Sequence, residues 1–379
     1  MRLGIVCYAS LGGSGVVATE LAHALALRGH EVHVISSDEP FRWPAGVPGL
    51  SFERVDTPAY PLFREPQYLL ALTNAIVRIS RDQQLDIVHA HYAVPHATAA
   101  YLAGQILAAD HDRRQPRMLT TLHGTDITLV GSDPSYARVV AFSIERSHGV
   151  TAVSNSLRAD TIAALGIARE IRVIPNFLDC TSYRRRPVPA LDARLRAGGI
   201  DRVVAHASNF RPVKRVHSVV EIFRLIREHV PARLLLIGDG PDRRRIERLV
   251  VDNELQDVVE FVGEQHDLVP WLSAADLFLL PSEQESFGLA ALEAMACEVA
   301  VVASRVGGLP EIIDDGTTGY LCAADDIPGM AARGAELLAD DALRLRIGRA
   351  AAARVRERFC SDLIVPVYEQ WYRDVLEAT

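Results

Sequence analysis

Residues 277–304 read LFLLPSEQESFGLAALEAMACEVAVVAS, and this segment decides the fold. LFLLP at 277–281 and VAVVAS at 299–304 are short, uninterrupted apolar runs, the pattern of strands buried on both faces. Between them lies a stretch rich in alanine, leucine and glutamate, residues that lose little entropy in a helix. The helix is expected to begin at Ser286 or Phe287. A strand, a loop, a helix and a second strand form the repeating unit of a doubly wound parallel sheet.

The unit recurs in both directions. Upstream in the same half, strands are predicted at 202–207, 232–238 and 258–263. In the first half they are predicted at 3–8, 31–36, 50–55, 86–90, 117–122, 149–153 and 171–174, with amphipathic helices between most of them. The alternation breaks after Pro175, in NFLDCTSYRRRPVPALD, which carries two prolines and three successive arginines and reads as a linker. The fold class is therefore α/β, with a Rossmann-like domain at 1–178, a linker at 179–200, a second such domain at 201–360 and a terminal helix at 361–379. A length of 379 residues suits two domains, each able to bury its own core. Two such sheets are expected to face a cleft, since open α/β sheets bind ligands at the carboxyl ends of their strands.

Composition narrows the function classes. A formal net charge of −8 excludes a nucleic-acid protein with a uniformly basic surface, so an anion site must come from a few placed cations. The apolar run near the N-terminus is too short for a signal peptide, and no run reaches the roughly 20 residues that span a bilayer. Five scattered cysteines without a CxxC pair suggest neither a disulfide framework nor a thiolate zinc site. The expectation is a soluble, reduced, cytoplasmic protein without nucleic-acid or membrane partners. The oligomeric state stays open, with a homodimer as one outcome.

The candidate chemistry gathers at loops that follow strands. On a continuous helix, Glu285 and Glu293 would be separated by about 12 Å along the axis and about 80° around it. Two carboxylates so placed suit an elongated ligand with two diols, such as a ribose and a pyranose, while the amides of Phe287, Gly288 and Leu289 face a diphosphate. Two surface glutamates on an ordinary helix are the plain alternative. The separation exceeds the roughly 5 to 9.5 Å of paired glycosidase carboxylates, so a hydrolase pair is not indicated. In SNFRPVKR, Arg211 and Lys214 form a turn able to neutralise a leaving diphosphate. Lys214 is the one lysine among 40 basic residues, so if the two cations were interchangeable it would fall in this turn with a chance of only about one in 40.

Other motifs leave alternatives open. His89, His91 and His96 in HAHYAVPHA invite a metal reading, but no carboxylate or cysteine nearby completes a site, so no metal is assigned. His123 and Asp126, in TTLHGTDITLVGSDPS, form either a charge pair at a strand end or a capped turn. The glycine loop at 12–15 reads either as a phosphate or sugar-nucleotide loop or as a structural turn before a helix near Val16. Residues 13–18 also fit GxGxxA, with Asp38 after the second strand where a dinucleotide fold places its ribose acid. The loops GDGP (238–241) and GGLPE (307–311) are ligand-facing or structural.

Together GGSG, HGTD, VSNSL, PNFLD, RPVK, GDGP and the E-x7-E of Glu285 and Glu293 resemble the retaining glycosyltransferases of family 4, which have the two-domain GT-B fold. CYASLGGSG, HAHYAVPHA, TTLHGTDITLVGSDPS and SNFRPVKR resemble, more narrowly, the branch that begins bacillithiol biosynthesis. That resemblance implies UDP-N-acetylglucosamine as donor, the hydroxyl of L-malate as acceptor, retention at the anomeric carbon and no cofactor or metal. It implies that Arg211 and Lys214 bind the diphosphate, Glu293 the ribose, and Glu285 with Phe287, Gly288 and Leu289 the sugar. Gly12 and Gly13 would approach the donor phosphates, His123 the sugar, and Ser14, Tyr92, Thr121 and Asn155, with Arg211, the acceptor. It also implies a terminal helix crossing back to the first domain. One departure is the segment 295–300, MACEVA where the family usually has MACGVP, which changes the turn after the helix of Glu293.

Rival readings are a family 4 enzyme acting on an inositol phosphate or a lipid, an NAD-dependent oxidoreductase using residues 13–18 and Asp38, and a non-catalytic sugar-nucleotide sensor. A phosphate-bearing acceptor would call for extra cations in the first domain's loops, and a lipid acceptor for a basic amphipathic helix; neither is evident.

Overall fold

The computed structural model describes residues 1–9, 12–44, 46–58, 67–110, 115–125, 127, 131 and 133–378. The chain divides into two compact units, Met1–Asn176 with Ser361–Thr379, and Phe177–Cys360. No helix among the described residues is long and apolar enough to cross a membrane.

The first unit is built on a seven-stranded parallel sheet. Its strands are β1 (Arg2–Val6), β2 (Glu31–Ser36), β3 (Leu50–Arg54), β4 (Ile87–His91), β5 (Arg117–Leu122), β6 (Gly149–Ala152) and β7 (Arg172–Val173), in the order β3-β2-β1-β4-β5-β6-β7. Strand β4 is buried along its whole length and β1 at four of five positions, as helices on both faces require. The order reverses between β1 and β4, which opens a crevice at the carboxyl ends of those strands. The C-terminal helix Ser361–Glu377 belongs to this unit. Its Trp371 lies so close to Gly149 that a Cβ there would sit 2.9 Å from Cζ2. Its Glu369 accepts hydrogen bonds from Arg28 (2.7 Å) and His30 (2.8 Å).

The second unit carries six parallel strands: β8 (Arg202–Ala207), β9 (Ala232–Ile237), β10 (Val259–Gly263), β11 (Leu277–Leu280), β12 (Ala300–Ser304) and β13 (Tyr320–Cys322). Their order is β10-β9-β8-β11-β12-β13. Val204, Leu234, Leu236, Leu277, Leu279 and Val302 pack on Val219, Phe223, Met330 and Leu337 of the covering helices. The short β13 has no counterpart in the strands read from the sequence.

The second unit departs from the sequence reading in three further respects. Residues 179–200, read as a linker, are part of it: they include the helix Pro189–Leu195, bury Leu195 and send Arg196 to Asp276 at 2.9 Å. Proline and arginine density signalled a break in the strand–helix alternation, and that break is a docked connection. Cys180 and Cys360 form a disulfide across 180 residues, against the expectation of a fully reduced chain. An odd cysteine count conceals such a pair, because Cys7, Cys297 and Cys322 remain free. Finally, the helix after β11 runs Leu289–Ala296 and starts later than expected, because Gly288 at φ 102 breaks the helical path immediately before it.

Candidate active site

In the second unit the loop after β8 is held by its own packing and by its neighbours. Phe210 anchors it, fully buried at φ 36, and a short 3-10 turn, Pro212–Lys214, follows. His206 on β8 contacts the Leu279 carbonyl and the Ser208 hydroxyl, each at 2.8 Å; burial holds this imidazole down at about 4, so it is neutral at physiological pH. The GDGP loop braces the same turn. A Cβ on Gly238 would fall 1.9 Å from the Ser208 carbonyl oxygen, and one on Gly240 2.0 Å from that of Asn209. These two glycines are therefore structural: they let two loop backbones touch.

The loop after β11 locks onto the first. The amide of Glu283 donates to the Val213 carbonyl at 2.9 Å, and Lys214 Nζ donates to Glu285 Oε2 at 2.7 Å. The GGLPE loop supports Glu285 from behind: the Gly308 amide donates to its carbonyl at 2.9 Å, and Gly307, at φ 51, leaves no room for a Cβ beside it. Glu285 precedes the helix and Glu293 lies in its second turn, so the two carboxylates are not on one continuous helix as the spacing suggested. A loop carboxylate is paired to Lys214, and a helix carboxylate lies further in. Glu293 is 4% exposed and accepts a hydrogen bond from Tyr183 Oη at 2.9 Å. Phe287 is buried edge-on against Phe359, while Gly288 and Leu289 begin the helix, whose first turn has no side-chain cap. Arg211 is half-buried and makes no ion pair with the described residues.

In the first unit four candidates follow four neighbouring strands. Ser14 follows β1, Tyr92 follows β4, His123 follows β5 and Asn155 follows β6. The helix after the glycine loop is Gly13–Leu27, capped by Gly12, so it begins three residues before the expected Val16 and puts Gly13 and Ser14 in its first turn. Ser14 Oγ lies 2.8 Å from Tyr92 Oη, and the Tyr92 ring packs 5.4 Å from that of His123. Tyr92 holds φ 93, a backbone state that costs a non-glycine residue about 1–3 kcal/mol and marks a position fixed by its surroundings. Asn155 opens the helix Asn155–Leu165, capped by Ser154. Asp126 lies outside the described residues.

Beneath this edge runs a neutral hydrogen-bonded network. His123 Nε2 and His91 Nδ1 are 2.8 Å apart, with one donating to the other. His89 contacts Tyr372 Oη at 2.8 Å and Thr121 Oγ1 at 2.7 Å, and Thr121 contacts Thr151 at 2.7 Å. Burial pushes His89 and His123 down to about 3 and His96 to about 4, and holds His91 well below the usual range. Thr121 corrects the acceptor assignment: it is fully buried and its hydroxyl is taken by His89 and Thr151, so it supports the edge instead of meeting a ligand. Among the described residues no three His, Cys, Asp or Glu side chains group to hold a metal. Asp38, the ribose acid of the dinucleotide reading, is an exposed surface partner of Arg54 at 2.9 Å.

Two contributors escaped the sequence reading. Tyr183 lies in the segment read as a linker, 110 residues from Glu293, and Tyr372 lies on the terminal helix. No spacing rule connects either to its partner.

Comparison with known proteins places the whole chain. The family described as Glycosyltransferase Family 4 matches residues 11–182, and that described as Glycosyl transferases group 1 matches residues 190–354. The chain is 44% identical over 376 residues to N-acetyl-alpha-D-glucosaminyl L-malate synthase of Bacillus anthracis, covering 99% of this chain and 97% of that protein. It is 29% identical to a D-inositol 3-phosphate glycosyltransferase of Saccharomonospora viridis, over 95% and 89% of the two chains. Among solved structures, sucrose-phosphate synthase from Thermosynechococcus elongatus superposes with a TM-score of 0.83 at 25% identity, covering both chains fully. Anabaena HepE in complex with UDP and glucose gives 0.78 at 20%, over 99% and 100%. The two sheets and their strand-end loops are thus those of the GT-B architecture, and the chain belongs to the family 4 glycosyltransferases.

Proposed function

We propose that this chain transfers N-acetylglucosamine from UDP-N-acetylglucosamine to the hydroxyl of L-malate, with retention at the anomeric carbon, as the first step of bacillithiol biosynthesis in the cytoplasm. The acceptor rests on the 44% identity to the Bacillus anthracis synthase over nearly the full length of both chains. Donor chemistry rests on one geometric observation: the ammonium of the chain's one lysine is held 2.7 Å from Glu285 where the loops after β8 and β11 meet. Such a pair lets the ammonium turn to the diphosphate while the carboxylate takes a sugar hydroxyl.

In the proposed reaction malate's hydroxyl oxygen bonds to the anomeric carbon as the carbon–oxygen bond to UDP breaks on the same face. The departing phosphate oxygen accepts the hydroxyl proton, so the side chains supply position and charge, with no protein nucleophile. Lys214 and Arg211 stabilise the charge gathering on UDP. The amides of Gly288 and Leu289 join them at a helix N-terminus. Glu293 binds the ribose diol. His123, held neutral by burial, presents a hydrogen bond to the sugar without adding a charge. Ser14 and Tyr92, with Asn155 and Arg211, bind the acceptor. No metal is required.

The test is incubation with UDP-N-acetylglucosamine and a panel of hydroxy acids and polyols, with products identified by mass spectrometry. L-Malate should be glycosylated, and the rate should be unchanged by a chelator. Glycosylation of an inositol phosphate with none of malate would overturn the acceptor assignment.

A further inference from the structure

Glu293 is a buried carboxylate at the centre of the donor reading, and what aims it is a residue from the segment that looked like a linker. Tyr183 Oη donates to Oε1 at 2.9 Å. A glutamate side chain has three rotatable bonds, and a fixed donor on one oxygen selects the rotamer that presents the other oxygen in a defined direction. Tyr183 is itself held by a local scaffold. The amides of Ser182 and Tyr183 donate to the Asp179 carbonyl at 3.1 and 2.8 Å. The Asp179 carboxylate accepts from the Thr181 amide at 2.9 Å, the Thr181 hydroxyl at 2.7 Å and the Ser182 hydroxyl at 2.6 Å. Within the same turn, Cys180 is bonded to Cys360, and Leu178 forms a bridge with Cys360. This much fixing of an exposed turn has an evident consequence: the phenol stays where Glu293 needs it.

We infer that Tyr183 is a positioning residue for donor recognition, orienting Glu293 toward the ribose hydroxyls and so setting discrimination between ribose and deoxyribose donors. The inference rests on the reading that Glu293 holds the ribose. Because Tyr183 acts through Glu293, its effect belongs in donor binding and selectivity, with turnover at saturating donor preserved.

The experiment uses the full chain as wild type, Tyr183→Phe and Glu293→Gln, with UDP-N-acetylglucosamine and its 2′-deoxyuridine analogue. Removing a hydrogen bond to a charged group should raise the donor KM of Tyr183→Phe roughly ten-fold, with kcat within about two-fold of wild type. The penalty that wild type imposes on the deoxy donor should shrink in Tyr183→Phe and vanish in Glu293→Gln. A merely loosened fold would raise KM for both donors equally and leave their ratio unchanged, which would overturn the inference. If Glu293→Gln loses discrimination while Tyr183→Phe keeps it, Tyr183 does not aim the carboxylate. If Glu293→Gln keeps it too, the ribose reading itself fails, and the two failures are distinguishable.

Discussion

The two units use the same edge of the same kind of sheet, and they stabilise it by opposite means. The second relies on charge. Lys214 meets Glu285 at the loop edge, and deeper in the unit Asp276, 5% exposed at its side chain, accepts from Arg196, the Val203 amide and, at 3.1 Å, Arg344. Beneath its edge the first unit relies on neutral groups: stacked, hydrogen-bonded histidines, threonines and a terminal-helix tyrosine. Breaking a half-buried ion pair is productive when a diphosphate replaces the carboxylate, so charge suits the proposed donor side. A neutral network gains little from a charged ligand and serves to hold hydroxyl groups in place, which suits the proposed acceptor side.

The contrast breaks first, and by most, at Asp276. Replacing it with alanine takes a buried carboxylate from the Val203 amide, from Arg196, which keeps Asp192, and from Arg344, which keeps Asp341, and should destabilise the second unit by about 3–4 kcal/mol. Hydrogen exchange should show the loss in β8 and β11 while β4 and β5 keep their protection.

Acid should do the reverse and open the first unit. Glu369 has its carboxyl lowered from 4.5 to about 2, chiefly by its hydrogen bond with Arg28 and further by His30, while burial opposes the shift. A folded value below the unfolded one means the unfolded chain binds more protons, so this stabilisation is complete above about pH 4.5 and disappears as pH falls toward 2. It amounts to about 3 kcal/mol. The buried histidines act with the same sign over a higher window, from 6.5 down to about 3. Trp371 fluorescence during acid titration should report unfolding of this unit, and Glu369→Gln should lower its stability at pH 7 while flattening the acid dependence.

A smaller effect tests the neutral network. Tyr372→Phe strands one nitrogen of His89 and should cost about 1–2 kcal/mol. If Thr121 supports the acceptor edge through His89, malate KM should rise while donor KM stays put. The smallest effect is a gain. Glu298 stands at φ 61, where the family usually has glycine. Glu298→Gly should raise the melting temperature, a gain of about 0.5–1 kcal/mol.

The charged edge was far more legible in the sequence than the neutral one. Lys214 stood out by composition, and strand-end glutamates point to a ligand because a charge near a sheet's ligand edge needs a reason. Buried neutral partners leave no such trace. His89, Thr121 and Tyr372 meet only after β4, β5 and the terminal helix pack, so Thr121 read as a ligand contact when it is a support. Among the described residues periodicity located every strand but the three-residue β13. Helix starts were harder, because Gly288 and Gly12 set them through backbone geometry that spacing does not reveal. The connection at 179–200 misled most: its prolines and arginines look like a linker, while Cys180 and Tyr183 make long-range contacts with no local signature.

In the proposed reaction the ammonium of Lys214 carries the charge developing on departing UDP. Its most direct test is UDP release by Lys214→Ala at saturating donor and malate. In that variant kcat should fall by roughly 10²–10³-fold, the usual result of removing one preorganised charge stabiliser. Turnover equal to wild type would contradict it.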